Sequence, residues 1–196
     1  MAAADSLITT PKSPEERAEM ELLGLLDAAG NPYPLPVPGA PKRSAESVER
    51  SAITNYSVLN EAFDYDVPSS FSRGLTVTVR EGTRILYISG TASIEDRGET
   101  IYVGDFRAQC WRTFRNITQL LEAEGATWQD IVRTSCYLRD IERDYRDFNE
   151  VRTHFLRAMN LEPLPASTGI QARLCREDLL VEIEAIAMLQ RAPDGA

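Results

Sequence analysis

The stretch LLVEIEAIA, residues 179–187, has the apolar content of a buried strand yet carries two carboxylates, Glu182 and Glu184. Successive strand side chains point to opposite faces. Leu180, Glu182, Glu184 and Ile186 therefore share one face, and Val181, Ile183, Ala185 and Ala187 the other. A carboxylate so placed faces solvent, pairs with an arginine, or is aimed into a cleft where it can give and take a proton. Few other reactive groups compete for such a role. His154 is the single histidine, which excludes a relay or metal site that needs two. Cys110, Cys136 and Cys175 are widely spaced and form no C-x-x-C pair, against both a disulfide framework and structural zinc. Lys12 and Lys42 are the only lysines, so a core starting after residue 50 has none for a Schiff base or a phosphate loop. The catalytic vocabulary is reduced to carboxylates, arginines, hydroxyls and thiols, and neither a metal nor an organic cofactor is expected.

Other residues could complete such a site. From the residues alone, Ser89, Gly90 and Thr91 read as a strand-ending turn that carries two hydroxyls. Ser167 and Thr168, with Gly169 behind them, offer further donors. Arg73, Arg173 and Arg176 are available cations, Phe71 an apolar wall, and Cys175 a thiol next to Arg176. Cys110, Cys136, Trp111, Trp128 and His154 lie within plain apolar periodicity and read as packing residues.

The elements that must position these groups follow from their periodicity. LTVTVR (75–80) alternates at period two and turns through EGT into RILYIS (84–89), which predicts a hairpin. Residues 104–125 are helical, with Phe106, Cys110, Phe114, Ile117 and Leu121 on one stripe, Asp105 as cap and Gly125 as stop. Ile131 to Leu138 is a short strand. Residues 142–160 form a second amphipathic helix burying Tyr145, Phe148, Val151, Phe155 and Met159. STGIQARL and LLVEIEAIA close the chain as strands. The order β-β-α-β-α-β-β, with two helices over one sheet face, is an α+β layer fold.

Ahead of this domain (61–196) stands an extension, residues 1–60. Its helix, 13–30, starts with Ser13 as cap and Pro14 in the first turn. NPYPLPVPGAP (31–41) is too rich in proline for helix or sheet interior and reads as an extended connector. The 196 residues, 43% hydrophobic and 26% charged, are those of an ordinary globular chain. No apolar run approaches a membrane span, and the N-terminus lacks a secretion signal, so a cytoplasmic protein without membrane contact is expected. A net charge of −9 argues against nucleic acid as partner.

Four segments in order, FSRG (71–74), LYISGTAS (86–93), 104–138 and LLVEIEAIA, resemble the Rid (YjgF/RidA) superfamily over roughly residues 68–190. The resemblance implies a YjgF/chorismate-mutase-like sheet covered by two helices and a homotrimer with inter-subunit clefts. It implies a small carboxylate substrate, an enamine or imine hydrolysed to a keto acid and ammonia. Glu182 matches the family's functional glutamate, and Ser89, Gly90 and Thr91 its SG turn. Two departures stand out: Phe71 falls where many members have tyrosine, and Ala166 stands where deaminases carry the arginine that grips the substrate. A methyl cannot replace a bidentate guanidinium, so Arg73, Arg173 or Arg176 would have to supply the cation.

SGTASIEDRGETIYVGD (89–105) and LCREDLLVEIE (174–184) also resemble chorismatases, which release pyruvate from an enol ether but carry an additional amino-terminal domain. Three readings result: a Rid-type deaminase, a chorismatase-like enol-ether hydrolase or lyase, and a non-catalytic ligand-binding trimer.

Overall fold

The computed structural model describes residues 8–42, 48–52, 75–77, 79, 82–95 and 99–190. Its main sheet has four strands: β3 (Thr83–Ala92), β4 (Ile131–Leu138), β5 (Ala166–Gln171) and β6 (Val181–Gln190). Their spatial order is β3-β6-β4-β5, with β6 antiparallel to both neighbours and β4 parallel to β5. The crossover between the parallel pair is α3 (Ile141–Ala158); α2 (Phe106–Ala123) lies beside it on the same face. Parallel strands need such a connection, and an amphipathic helix covers the apolar side of the sheet.

The core lies between sheet and helices. Val181, Ile183, Ala185 and Ala187 are buried against Trp111, Phe114, Phe148 and Phe155. Phe114 and Phe155 stack at 4.5 Å between centroids, and Trp128 meets Phe155 edge-on at 4.8 Å. Asp105 caps α2, its Oδ1 accepting from Ala108 N at 2.9 Å, and Gly125 ends that helix at φ 68°. Both features agree with the sequence. Tyr145 does not: it is 38% exposed, at the edge of the stripe of α3 and not beneath it.

Leu75–Val77 (β2) also depart from expectation. Among the described residues they pair with Arg50–Ala52 (β1), in a two-stranded sheet separate from β3. The expected turn at 81–83 lies partly outside the described residues.

The extension forms a third layer on the helices. Its helix α1 is Pro14–Leu22, shorter than expected. Gly24 at φ 68° closes it, with Leu25 N donating to Met20 O and Gly24 N to Glu21 O. The glycine inside LLGLL is thus the stop. Ser13 caps α1 through Glu16 N (3.0 Å) and donates to Asp105 Oδ2 (2.5 Å), joining the caps of two helices.

Glu16 and Glu19 are fully buried under this layer. Glu16 Oε1 accepts from Arg107 Nε and Trp111 Nε1, each at 2.9 Å, and Oε2 accepts from Lys12 N at 2.7 Å. Glu19 accepts from Tyr102 Oη at 2.7 Å and pairs with Arg115 at 3.0 Å, while burial pushes its carboxyl above the ordinary range. His154 Nδ1 accepts from Thr9 N at 2.8 Å. The extension is therefore docked by buried charge as well as by Met20 and Leu25. No helix among the described residues is long and apolar enough to cross a membrane.

Candidate functional site

The sheet face away from the helices is open. Tyr87 is 77% exposed there, and Ile85 and Ile170 are also exposed on it. Strand register arranges this face in rows. Tyr87, Ile186, Arg133 and Ala166 form one row across β3, β6, β4 and β5. Glu184, Ser135 and Thr168 form the next, and Glu182, Tyr137 and Ile170 the third. Both glutamates thus lie on the uncovered face, as alternation along β6 requires.

β3 carries a bulge between Ile88 and Thr91, which leaves Ser89 and Gly90 out of the regular pairing. Gly90 has a specific reason to be glycine. A Cβ built there would stand 1.8 Å from Glu182 Oε1 and 2.8 Å from its Cδ. The Glu182 carboxylate occupies the space that any other residue at 90 would fill. It is half-buried, and no hydrogen bond or ion pair engages it among the described residues. Glu184 is committed instead: its Oε2 accepts from Tyr137 Oη at 2.9 Å, a bond that holds the phenol above its ordinary pKa.

A cavity of about 260 Å³ opens on this face, lined by Tyr87, Ser89, Arg133, Ser135, Glu184 and Ile186, among others. The serine of the bulge and the Arg133 guanidinium are both on its wall, whereas Glu182 is not among its lining residues. A larger cavity, about 480 Å³, lies on the opposite side under α1, beside Leu23, Leu121, Trp128 and Arg115. It holds none of the site candidates read from the sequence.

The structure brings together only some of those residues. Ser89 lines the open-face cavity. Thr91 is buried and its hydroxyl donates to Ser89 O at 2.9 Å, bracing the bulge. Thr168 is on the open face, with Arg133 Nη2 donating to it over a long 3.4 Å. Ser167 directs its side chain the other way. Its neighbour Thr168 faces the cavity side, so Ser167 must face the helices, where it accepts from Thr134 Oγ1 (2.9 Å) and Arg152 Nη1 (3.1 Å). Alternation alone would have separated these two adjacent residues.

Arg173, Cys175 and Arg176 are exposed on the segment joining β5 to β6 and do not line the cavity. Phe71 and Arg73 lie outside the described residues. Cys110 and Cys136 are buried, and burial pushes the Cys110 thiol well up. Among the described residues no cluster of three or more metal-ligating side chains occurs. Arg133, Ser135, Tyr137 and Tyr87 were missed from sequence. In IVRTSCYL the exposed or half-exposed Arg133, Ser135 and Tyr137 alternate with buried Thr134, Cys136 and Leu138. That signal marks one face of β4, but not which partners it meets.

The family model for endoribonuclease L-PSP matches residues 69–189, from just before β2 almost to the end of β6. The chain belongs to the Rid/YjgF superfamily. A RutC family protein of Pyrococcus abyssi is 31% identical to this Rid chain over 102 residues, 52% of it and 76% of the relative. The 3-aminoacrylate deaminase RutC of Acinetobacter baylyi is 28% identical over 111 residues, 57% of this chain and 84% of that protein. Among solved structures, the Rid family protein YyfB of Yersinia pestis, a protein of unknown function, superimposes with a TM-score of 0.56 at 26% identity. That match covers 70% of this Rid chain and 97% of the other. The helix-covered mixed sheet is thus the Rid fold, and the docked extension lies ahead of the family match.

Proposed function

We propose that the protein is a Rid-type hydrolase of a small enamine or imine acid, with Glu182 as its proton donor and acceptor. The observation that carries this reading is the Glu182 carboxylate itself: half-buried, unengaged among the described residues and seated over Gly90. An enamine needs one proton at the carbon beta to nitrogen, then water at the alpha carbon, then release of ammonia. One acid that becomes a base can serve both proton steps. The Ser89–Gly90 bulge stands beside it with hydroxyl and backbone donors for the substrate. The named activity of the Acinetobacter baylyi relative, on 3-aminoacrylate, supports the same class of chemistry.

The open face supports a homotrimer, as the family resemblance implies. A sheet surface bearing Ile85, Tyr87 and Ile170 gains by being covered, and a neighbouring copy would close the cavity into a cleft. Light scattering on the purified chain reads this directly.

Enol-ether hydrolysis is a second reading, since an enol ether needs the same proton donor and water. Two assays separate the readings: ammonia release from freshly generated 2-aminoacrylate, and pyruvate release from chorismate. Each is run on wild type and Glu182→Gln. Ammonia release that falls at least a hundredfold in the variant supports the deaminase. Undiminished release in the variant removes Glu182 from the mechanism.

A further inference from the structure

We propose that Gln109 and Asn116, two side-chain amides of α2, are the positioning residues that hold Glu182 over Gly90. The proposal rests on Glu182 as the proton carrier and adds what fixes its place. Its basis is a polar stripe on an amphipathic helix. Gln109, Arg112 and Asn116 stand at i, i+3 and i+7 of α2, on one side of the helix. Each donates to a backbone carbonyl of a segment that flanks the site.

Gln109 is fully buried, and both ends of its amide are used. Its Nε2 donates to Asp178 O at 2.9 Å and to Tyr102 O at 3.2 Å, and its Oε1 accepts from Leu180 N at 2.8 Å. Leu180 stands just ahead of Glu182 in the chain. Asn116 Nδ2 donates to Ala92 O at 2.9 Å and to Ile94 O at 3.0 Å, and Arg112 Nη2 reaches Ile94 O at 3.2 Å. Ala92 is the cross-strand partner of Glu182 and follows closely on Gly90. One helix thus grips both segments that carry the acid and the glycine.

The sheet leaves this work to the helix. β3 ends at Ala92 and β6 begins at Val181, so the gripped groups lie at or beyond the last pairs of the ladder. On the other side the bulge between Ile88 and Thr91 interrupts the register. Backbone pairing alone therefore does not fix how Gly90 stands against Glu182. Ala92, Leu174 and Leu179 form a small apolar cluster here, separate from the main core. Directional bonds from buried or half-buried amides, by contrast, fix both segments against one rigid helix.

Kinetics and amide hydrogen exchange on the full chain test this. The variants are Asn116→Ala and Gln109→Met, the latter keeping side-chain length, with Gln119→Ala as an exposed amide on the same helix. Rates are compared where urea curves show each variant folded. Asn116→Ala and Gln109→Met should each lose about tenfold or more in kcat for ammonia release, with KM moving less than about threefold. Gln119→Ala should stay within about twofold of wild type. The double variant Gly90→Ala with Asn116→Ala should be no slower than Gly90→Ala alone, because both displace the same carboxylate. A merely structural role for Asn116 would multiply the two losses.

Wild-type kcat in folded Asn116→Ala, or multiplied losses in the double variant, overturns the proposal. These two measurements decide it even if Gln109→Met does not fold. If the wild type releases no ammonia, exchange decides. Quickening by about tenfold in Asn116→Ala, confined to residues 89–94 and 178–182, upholds the clamp and removes only the deaminase reading. Unchanged exchange, or quickening across the whole domain, overturns the clamp as well.

Discussion

The Glu182 carboxylate and the Cα of Gly90 are packed so closely that they exclude a methyl group between them. The bulge in β3 brings the glycine under the acid, and the acid lies where a side chain at 90 would be. The two positions are coupled although they lie 92 positions apart in sequence.

Gly90→Ala therefore should cost function far more than stability. The clash is with the far end of a flexible side chain, which can swing away, so the loss on urea unfolding should stay at the low end of an overpacking penalty, about 1 kcal/mol. The displaced carboxylate would leave its working position, and misplacement on the order of an ångström can cost about a hundredfold in rate. Parallel measurement of denaturation midpoint and ammonia release checks the split. Full activity in this variant would show that the position of Glu182 over Gly90 is irrelevant to turnover.

His154 should make the extension acid-sensitive. Burial first, and then the charge of Arg107, push its ring from the usual 6.5 down to about 4. The folded state keeps the ring neutral, accepting from Thr9 N, while the unfolded chain takes up a proton below about pH 6.5. The stability that this group contributes is thus complete above about pH 6.5. It declines as the pH falls towards 4, by roughly 3 kcal/mol in all. Unfolding free energies of wild type and His154→Gln, measured between pH 7.5 and 4.5, should converge as the pH drops. Parallel curves would rule out this coupling.

Glu16 should matter to stability more than any exposed carboxylate on α1. Glu16→Ala leaves the buried Arg107 and the Trp111 indole short of an acceptor. Breaking a buried charge pair costs about 3–5 kcal/mol. Asp147 and Glu150, at 3.3 and 3.2 Å from Arg107, should cut this to about 2–4 kcal/mol. Glu15→Ala, one residue away and exposed, should change stability by less than about 0.5 kcal/mol. Equal effects from the two variants would mean that the docked extension contributes little to the fold.

Much of the fold was legible because its signals are local. The stripe from Phe106 to Leu121, the cap at Asp105 and the alternation in LLVEIEAIA each need only a dozen neighbouring residues to be read, and the structure repeats them. Where reading failed, the deciding partner was distant or a local signal was misread. Leu75–Val77 find Arg50–Ala52, and α1 stops at a glycine hidden among leucines.

The sequence by itself determined which strand carries the acids, that both share one face, and which helices hide the opposite one. Side-chain period along a strand is fixed by backbone geometry and needs no partner. Only the tertiary structure decided that Glu182 lies over Gly90, that Arg133 stands beside Ala166, and that Glu16 is buried beneath the extension. Those relations depend on strand register and layer docking, which are set by the summed packing of residues far apart in the chain and leave no mark on any single segment.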